Sequence, residues 1–184
     1  MDGEYLFQSD RIGFRDWTID DLPDFSAMSA DEEVMRYLVK TLTPEESEEF
    51  IRRQKQQFED RGYCYFAVDL LTDHSFLGFI GLSYQDYESP FNPSIDIGWR
   101  LKRSAWGQGL ATEGAKLCLT FAFETLSMDR VVSVCLAGNM NSENVMKKLG
   151  MTKRGSFIHS KLKHIPEAGK CVWYDILNPN HEKS

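Results

Sequence analysis

The sequence predicts one α/β (α+β) domain in which a mixed, mostly antiparallel twisted sheet of about six or seven strands is flanked by about four helices. Three observations carry this. Segments whose apolar residues alternate, as half-buried strands do, are interleaved with segments that repeat at helical spacing. From Tyr63 to Leu101 three strand-like segments follow one another through turns, which reads as an antiparallel meander. The chain of 184 residues, 42% hydrophobic, suffices for one sizeable core and is short for two. With no internal repeat, low-complexity tract or dividing linker, residues 1–184 read as a single domain, its core at about 10–177 and a short polar tail beyond.

In chain order, a short strand is expected near Tyr5 to Phe7 and extended chain from Ile12 to Trp17. Thr18 to Asp21 then offers caps for a helix over about Asp20 to Met28, and Asp31 to Tyr37 supplies another helical turn or two. Thr43-Pro44-Glu45-Glu46 is a strong helix start: Thr43 can cap, Pro44 suits the first helical position and Glu46 completes a capping box. That helix runs to about Asp60, with Phe50, Ile51, Gln54 and Phe58 along one side, and ends before Gly62. The acidic cluster Glu45, Glu46, Glu48 and Glu49 suits its positive amino end and could also form a lip for a cationic acceptor.

Strands follow at Tyr63 to Leu70 and, after a turn at Thr72-Asp73-His74, at Phe76 to Tyr84; a Pro- and Asn-containing loop from Tyr87 to Pro93 leads to Ser94 to Leu101. The remainder reads as helix from about Gly107 to Leu126, strand from Arg130 to Leu136, helix from Ser142 to Leu149, and strands at Thr152 to His159 and Lys170 to Leu177.

Bulk properties exclude several functions. A net charge of −7 without a clustered basic face argues against nucleic acid, while cationic partners are better tolerated. No apolar run approaches the roughly 20 residues that span a bilayer, and the amino end lacks the basic and apolar regions of a secretory signal, so a soluble cytoplasmic protein away from membranes is expected. Cys64, Cys118, Cys135 and Cys171 are scattered, with neither a Cys-x-x-Cys pair nor a histidine at ligand spacing. They read as reduced packing residues, and no metal site is expected.

The chemistry concentrates at Trp106-Gly107-Gln108-Gly109-Leu110-Ala111, where a strand runs through small residues into a helix. The first N–H groups of such a helix have no intrahelical partner, and its dipole adds partial positive charge, so a diphosphate can sit there. The helix beyond is apolar on one face through Ala111, Ala115, Cys118, Phe121, Ala122 and Leu126, which lets it pack on the sheet with its amino end open. A dinucleotide fingerprint is disfavoured because Thr112 holds the third glycine position and the preceding strands read as antiparallel, and a Walker loop fails because no Gly-Lys-Ser/Thr follows. Taken alone, the glycine pair is equally compatible with a plain tight turn.

Three segments together change that balance: Ile97-Gly98-Trp99-Arg100-Leu101, the turn from Trp106 to Glu113, and Asn139 to Met151. With the order of elements, they make the chain resemble the GCN5-related N-acetyltransferase (GNAT) superfamily, and within it the RimJ/RimL-like acetyltransferases. The superfamily pattern is Gln/Arg-x-x-Gly-x-Gly/Ala. This chain gives Gly109 and Ala111 but Trp106 at the first position, a departure usual in RimJ/RimL relatives. The resemblance implies acetyl-CoA as cosubstrate, its pyrophosphate held by backbone amides from about Gln108 to Ala111 in the turn that Trp106, Gly107 and Leu110 complete. It also implies that the strand around Trp99 to Leu101 splays from the strand at Arg130 to Leu136, freeing backbone groups for pantetheine, with Leu101 a contact. Asn139 and Asn144 would lie beside the cofactor, although capping of the short helix is an equally available role for both. Ser142 matches the serine proposed to protonate the departing thiolate. Dimers are frequent among such enzymes, so a homodimer is open.

Attack on a thioester needs a neutral amine, so something must accept a proton. Asp96, on the strand leading to the turn, is the candidate; relatives commonly carry glutamate there, and the shorter side chain can act through water. Its competing role is an ion pair with a base such as Arg100 on the same strand. Glu113 suits the first helical turn and reads as structural. His74 and His181 read as solvated, and His159 and His164 as loop residues near an acceptor site. Trp17, Phe25, Tyr37, Tyr84 and Tyr87 could line that site or serve as core or rim. The expected function is transfer of an acetyl group from acetyl-CoA to a primary amine, a protein amino terminus or a small molecule, by direct attack in a ternary complex. Its alternative is a non-catalytic acyl-CoA-binding sensor or interaction module; a nicotinamide-dependent protein is a third and weaker one.

Overall fold

The computed structural model describes residues 5–38, 40–160 and 169–179. His164 and His181 lie outside these. Among the described residues the strands are β1 (Phe7–Gln8), β2 (Ile12–Arg15), β3 (Tyr65–Leu70), β4 (Phe76–Gln85), β5 (Ser94–Leu101), β6 (Arg130–Leu136), β7 (Thr152–Ile158) and β8 (Lys170–Leu177). The helices are α1 (Leu22–Ala30), α2 (Glu32–Met35), α3 (Pro44–Arg61), α4 (Leu110–Thr120) and α5 (Met140–Lys148). All strands join one sheet in the order β1-β2-β3-β4-β5-β6-β8-β7. The mixed α/β class is as expected, with slightly more elements than the six or seven strands and four helices anticipated. Both short amino-terminal segments pair, β1 with β2 and β2 with β3, which lengthens the sheet.

Local chemistry sets most boundaries. The α3 start is capped as the sequence requires: Glu46 N–H donates to Thr43 Oγ1 at 3.2 Å and Thr43 N–H to Glu46 Oε2 at 3.0 Å. The helix ends on Gly62, whose left-handed φ of 75° turns its N–H back to the Phe58 carbonyl. One boundary moves. Instead of starting at Gly107, α4 starts at Leu110, because Gly107 and Gly109 adopt φ of 73° and 78° and hold the chain out of helix until Gly109 caps it. At its other end α4 widens into a π-turn over Phe121–Thr125.

The two faces of the sheet are covered differently. On one, Gly114 of α4 lets the helix approach so closely that an added Cβ would meet Ile80, Ile12 and Phe14 side chains. On the other, α1 and α3 bring Phe25 and Phe50 against Phe79 and Trp17. Trp17 and Phe25, two candidates for the acceptor site, are thus fully buried core. No described helix is long and apolar enough to cross a membrane. All four cysteines are free; Cys64, Cys118 and Cys171 are buried, and burial pushes every thiol above its ordinary range.

Candidate active site

The sheet is interrupted at its middle. β4 and β5 pair without a break from Gly78 opposite Leu101 to Gln85 opposite Ser94, and β6 and β8 pair from Arg130 opposite Leu177 to Leu136 opposite Cys171. Between these halves, the parallel strands β5 and β6 meet at one register position, Asp96 opposite Val132. Just past it a side chain replaces the ladder, as Ser133 Oγ donates to the Ile97 carbonyl at 2.9 Å. Beyond that point the strands diverge toward their carboxyl ends, and a cavity of ≈ 600 Å³ opens between β5, β6, α2, α4 and α5. Both diverging strands feed helix amino ends, the crevice where open α/β sheets place ligands.

Backbone parity identifies which β5 groups face the gap. In an antiparallel ladder successive residues address opposite neighbours. Lys102 N–H donates to Leu77 of the β4 side at 2.9 Å, whereas Ile97 accepts from Ser133 of β6. Trp99 and Leu101 therefore direct their peptide groups toward β6, where no strand meets them. The Leu101 carbonyl is already engaged by the Trp106 indole N–H at 2.7 Å, which also folds the turn back over the strand end.

The turn itself is held from outside. Arg11 of the β1–β2 turn donates to the Gln108 carbonyl at 3.0 Å and to Glu113 Oε2 through Nε at 2.8 Å; Ser9 Oγ donates to Glu113 Oε1 at 2.6 Å. These donors hold the Glu113 carboxyl below its ordinary range even as burial opposes them. Glu113 is thus a clamp between α4 and the amino-terminal turn. No side chain caps α4, so its first N–H groups are left to the cavity side.

Asp96 lies at the closed end of the gap. Its Oδ2 accepts the Tyr65 hydroxyl at 2.6 Å, and the carboxylate also accepts the Val134 amide. The expected alternative of an ion pair with Arg100 is not what the fold builds, since the Arg100 guanidinium lies instead over the Phe79 ring, 5.1 Å from its centroid. Tyr65 reaches Asp96 because residue 98 is glycine: an added Cβ would stand 3.1 Å from the Tyr65 ring and 3.4 Å from Asp96 Oδ2. Withdrawal from water raises the Asp96 pKa to about 7, the Tyr65 and Val134 donors moderating the rise. Burial and the adjacent carboxylate keep the Tyr65 proton on its oxygen.

Of the residues singled out from sequence, Asp96, Trp99, Leu101, Trp106, Gly107, Gly109, Leu110, Ala111, Asn139, Ser142 and Asn144 all border the one cavity. Gln108 does not, its amide donating to the Ser104 carbonyl at 2.7 Å. Asn139 serves as the α5 cap, accepting Ser142 N–H at 3.2 Å, and lines the cavity as well. Tyr37 lines it from beyond α2; Tyr84 packs under Arg61, and Tyr87 stacks near His159. The acidic cluster of α3 does not reach it. Tyr65, Ser133, Val134, Cys135 and the true setting of Arg100 carried no motif; only the alternation around Tyr63 and Tyr65 hinted at a shared face. Among the described residues no group of three or more His, Cys, Asp and Glu side chains could hold a metal ion.

A mixed sheet opened at its centre, with a glycine turn and an uncapped helix end at the mouth, is a different frame from the parallel sheet of dinucleotide-binding folds. Residues 11–152 match the acetyltransferase (GNAT) domain, and the chain belongs to that family. It is 26% identical to the uncharacterized N-acetyltransferase YnaD of Bacillus subtilis (strain 168) over 166 residues, 90% of this chain and 89% of that protein. A GNAT-family acetyltransferase from Bacillus anthracis shares the fold with a TM-score of 0.75 at 24% identity, over 93% of this chain and 97% of that one. So does RimL, a ribosomal L7/L12 alpha-N-protein acetyltransferase solved in complex with coenzyme A, with a TM-score of 0.75 at 18% identity over 95% and 98%.

Proposed function

We propose that this chain binds acetyl-CoA in the gap between β5 and β6 and transfers its acetyl group to a primary amine by direct attack in a ternary complex. The observation that carries the reading is the single meeting of β5 and β6 at Asp96 and Val132, which leaves peptide groups of Trp99 and Leu101 facing an open gap that ends at the Gly107–Gly109 turn. An extended amide-bearing arm can pair there as a missing strand would, with its diphosphate at the amino end of α4. Because Trp106 holds the Leu101 carbonyl, pantetheine is expected to use the Leu101 N–H.

Asp96 then sits where the reacting ends meet. An alkyl ammonium has a pKa of about 10.4, so at neutral pH attack needs a base. A carboxylate with its pKa raised to about 7 can take that proton, directly or through water. The amine nitrogen attacks the thioester carbon, and a β5 peptide N–H facing the gap stabilises the oxyanion. As the adduct collapses the C–S bond breaks, the nitrogen gives up its remaining extra proton to water, and the Ser142 hydroxyl, which borders the cavity, passes a proton to the departing thiolate and takes one back from water.

The test is thiol release by purified protein from acetyl-CoA across a panel of primary amines and peptide amino termini, run beside CoA binding. Turnover with some amine is expected. Binding of CoA without thiol release from any acceptor sinks the catalytic reading and leaves an acyl-CoA sensor; absence of CoA binding sinks both.

A further inference from the structure

The cavity contains a second charged group that this chemistry does not use. Arg100 shares a strand face with Asp96 and Gly98, and it borders the cavity. Its Nη1 is shut off from solvent and finds no hydrogen-bond acceptor among the described residues. The carboxylates that border the same cavity are otherwise engaged: Asp96 by Tyr65 and Val134, and Glu33 by Arg36 at 3.8 Å. What Arg100 does touch is the Phe79 ring, a face that orients the guanidinium without accepting its hydrogen bonds.

Arg100 as a whole is half-buried, but a charged donor shut off from water without an acceptor is costly, and folded proteins rarely retain one without a use. Burial pulls the Arg100 pKa down to about 10, so the group still carries its charge at neutral pH. A planar guanidinium with free donors matches a carboxylate, which it can grip through two parallel hydrogen bonds. Asp96 and Arg100 stand four residues apart on one face of β5, roughly 13 Å along the strand. Two steps of 5.1 Å, guanidinium to Phe79 ring and Phe79 ring to Tyr65 ring, connect Arg100 to the tyrosine that holds Asp96.

We propose that Arg100 binds a carboxylate of the acceptor, so that the acceptor is an amine carrying a carboxylate in the same molecule. This rests on the acetyl-transfer reading of the same cavity. The amine points to Asp96 and the carboxylate to Arg100, and each end of such an acceptor meets the charge it lacks. Two sources supply this chemistry: a free amino acid, or a peptide amino terminus followed by an acidic residue.

Matched acceptor pairs separate these and test the proposal. Free amino acids are compared with their carboxamides, and amidated dipeptides with Asp or Glu in second place with those bearing Asn or Gln, in wild type, R100Q and R100K. In one of the two series the carboxylate member is expected to exceed its neutral partner by about 10- to 100-fold in kcat/KM, the weight of a charge-assisted hydrogen bond. R100Q is expected to lower the carboxylate member to the level of its partner while CoA affinity stays constant, and R100K, which keeps charge but loses the fork, to retain part of the preference. Equal use of both members by wild type overturns the proposal. So does an R100Q variant that slows both members equally or weakens CoA binding, which would assign Arg100 to the donor or the scaffold. Should R100Q not fold, R100K alone decides: a preference undiminished by loss of the fork counts against carboxylate binding. If no amine turns over, calorimetric titration of the CoA-loaded protein with N-acetylated amino acids and acidic N-acetyl dipeptides still reads the anion site. Binding lost in R100Q supports it, and binding that is absent in wild type or unchanged in R100Q rejects it, whatever the fate of the catalytic reading.

Discussion

The Tyr65 hydroxyl donates to Asp96 Oδ2 at 2.6 Å, across room that glycine at position 98 leaves open. That bond stabilises the charged form of Asp96 against the burial that raises its pKa to about 7. Replacing Tyr65 with Phe removes a donor to the carboxylate and should push the pKa further up. The rising limb of kcat/KM against pH is then expected to move toward alkaline pH by about one unit, the scale of one hydrogen bond to a charged group. A limb that stays in place or moves to acid pH would show that Asp96 is not the titrating base.

Asp96→Asn should reduce kcat by about 10²-fold or more and flatten the inflection near neutrality, leaving only the ionisation of the acceptor amine. CoA affinity should be unchanged. Stability has its own sign. A carboxyl whose folded pKa is raised to about 7 binds more protons in the folded than in the unfolded chain above the ordinary aspartate value, so it lowers stability as pH rises through that window. The melting temperature of the Asn variant relative to wild type should therefore increase from mildly acidic to mildly alkaline pH; a constant difference would contradict the raised pKa.

Gly109 stands at φ 78° with only Arg11 Nη2 near an added Cβ, at 3.8 Å, so backbone conformation rather than space demands glycine there. Gly109→Val should cost about 1–2 kcal/mol in the left-handed region and distort the turn, abolishing thermal stabilisation by CoA. Gly109→Asn, which visits that region more readily, should keep most of it. Unchanged CoA affinity in the Val variant would refute the placement of the diphosphate.

Ser142→Ala removes a hydroxyl and spares the Ser142 N–H that Asn139 holds at 3.2 Å, so the α5 cap survives. Because CoA thiolate is a good leaving group, the loss in kcat is expected to stay below about tenfold, less than general-acid catalysis usually supplies. A loss of a hundredfold with the fold intact would make Ser142 an essential acid.

Features set by a few neighbouring residues were legible in the sequence. Thr43 and Glu46 form the capping box their spacing requires, and the strand-to-helix turn at Gly107 and Gly109 lies where the small residues put it. The start of α4 was misplaced by three residues because both glycines take positive φ, a choice that glycine permits but does not announce. The sequence offers an ion pair with a base such as Arg100 as the competing role for Asp96; periodicity gives the shared strand face, not the occupant opposite.

By itself, then, the sequence determined the alternation of strands and helices, the turn and its open helix end, and the family likeness carried by Ile97 to Leu101, Trp106 to Glu113 and Asn139 to Met151. Tertiary structure alone decided that β5 and β6 meet only at Asp96 and Val132, that Tyr65 rather than Arg100 holds Asp96, and that half-buried Arg100 keeps a water-excluded Nη1 without an acceptor among the described residues. Caps and turns depend on hydrogen bonds among near neighbours. Desolvation and cross-strand partnership depend on the register between segments far apart in the chain, and that register exists only once the sheet has formed.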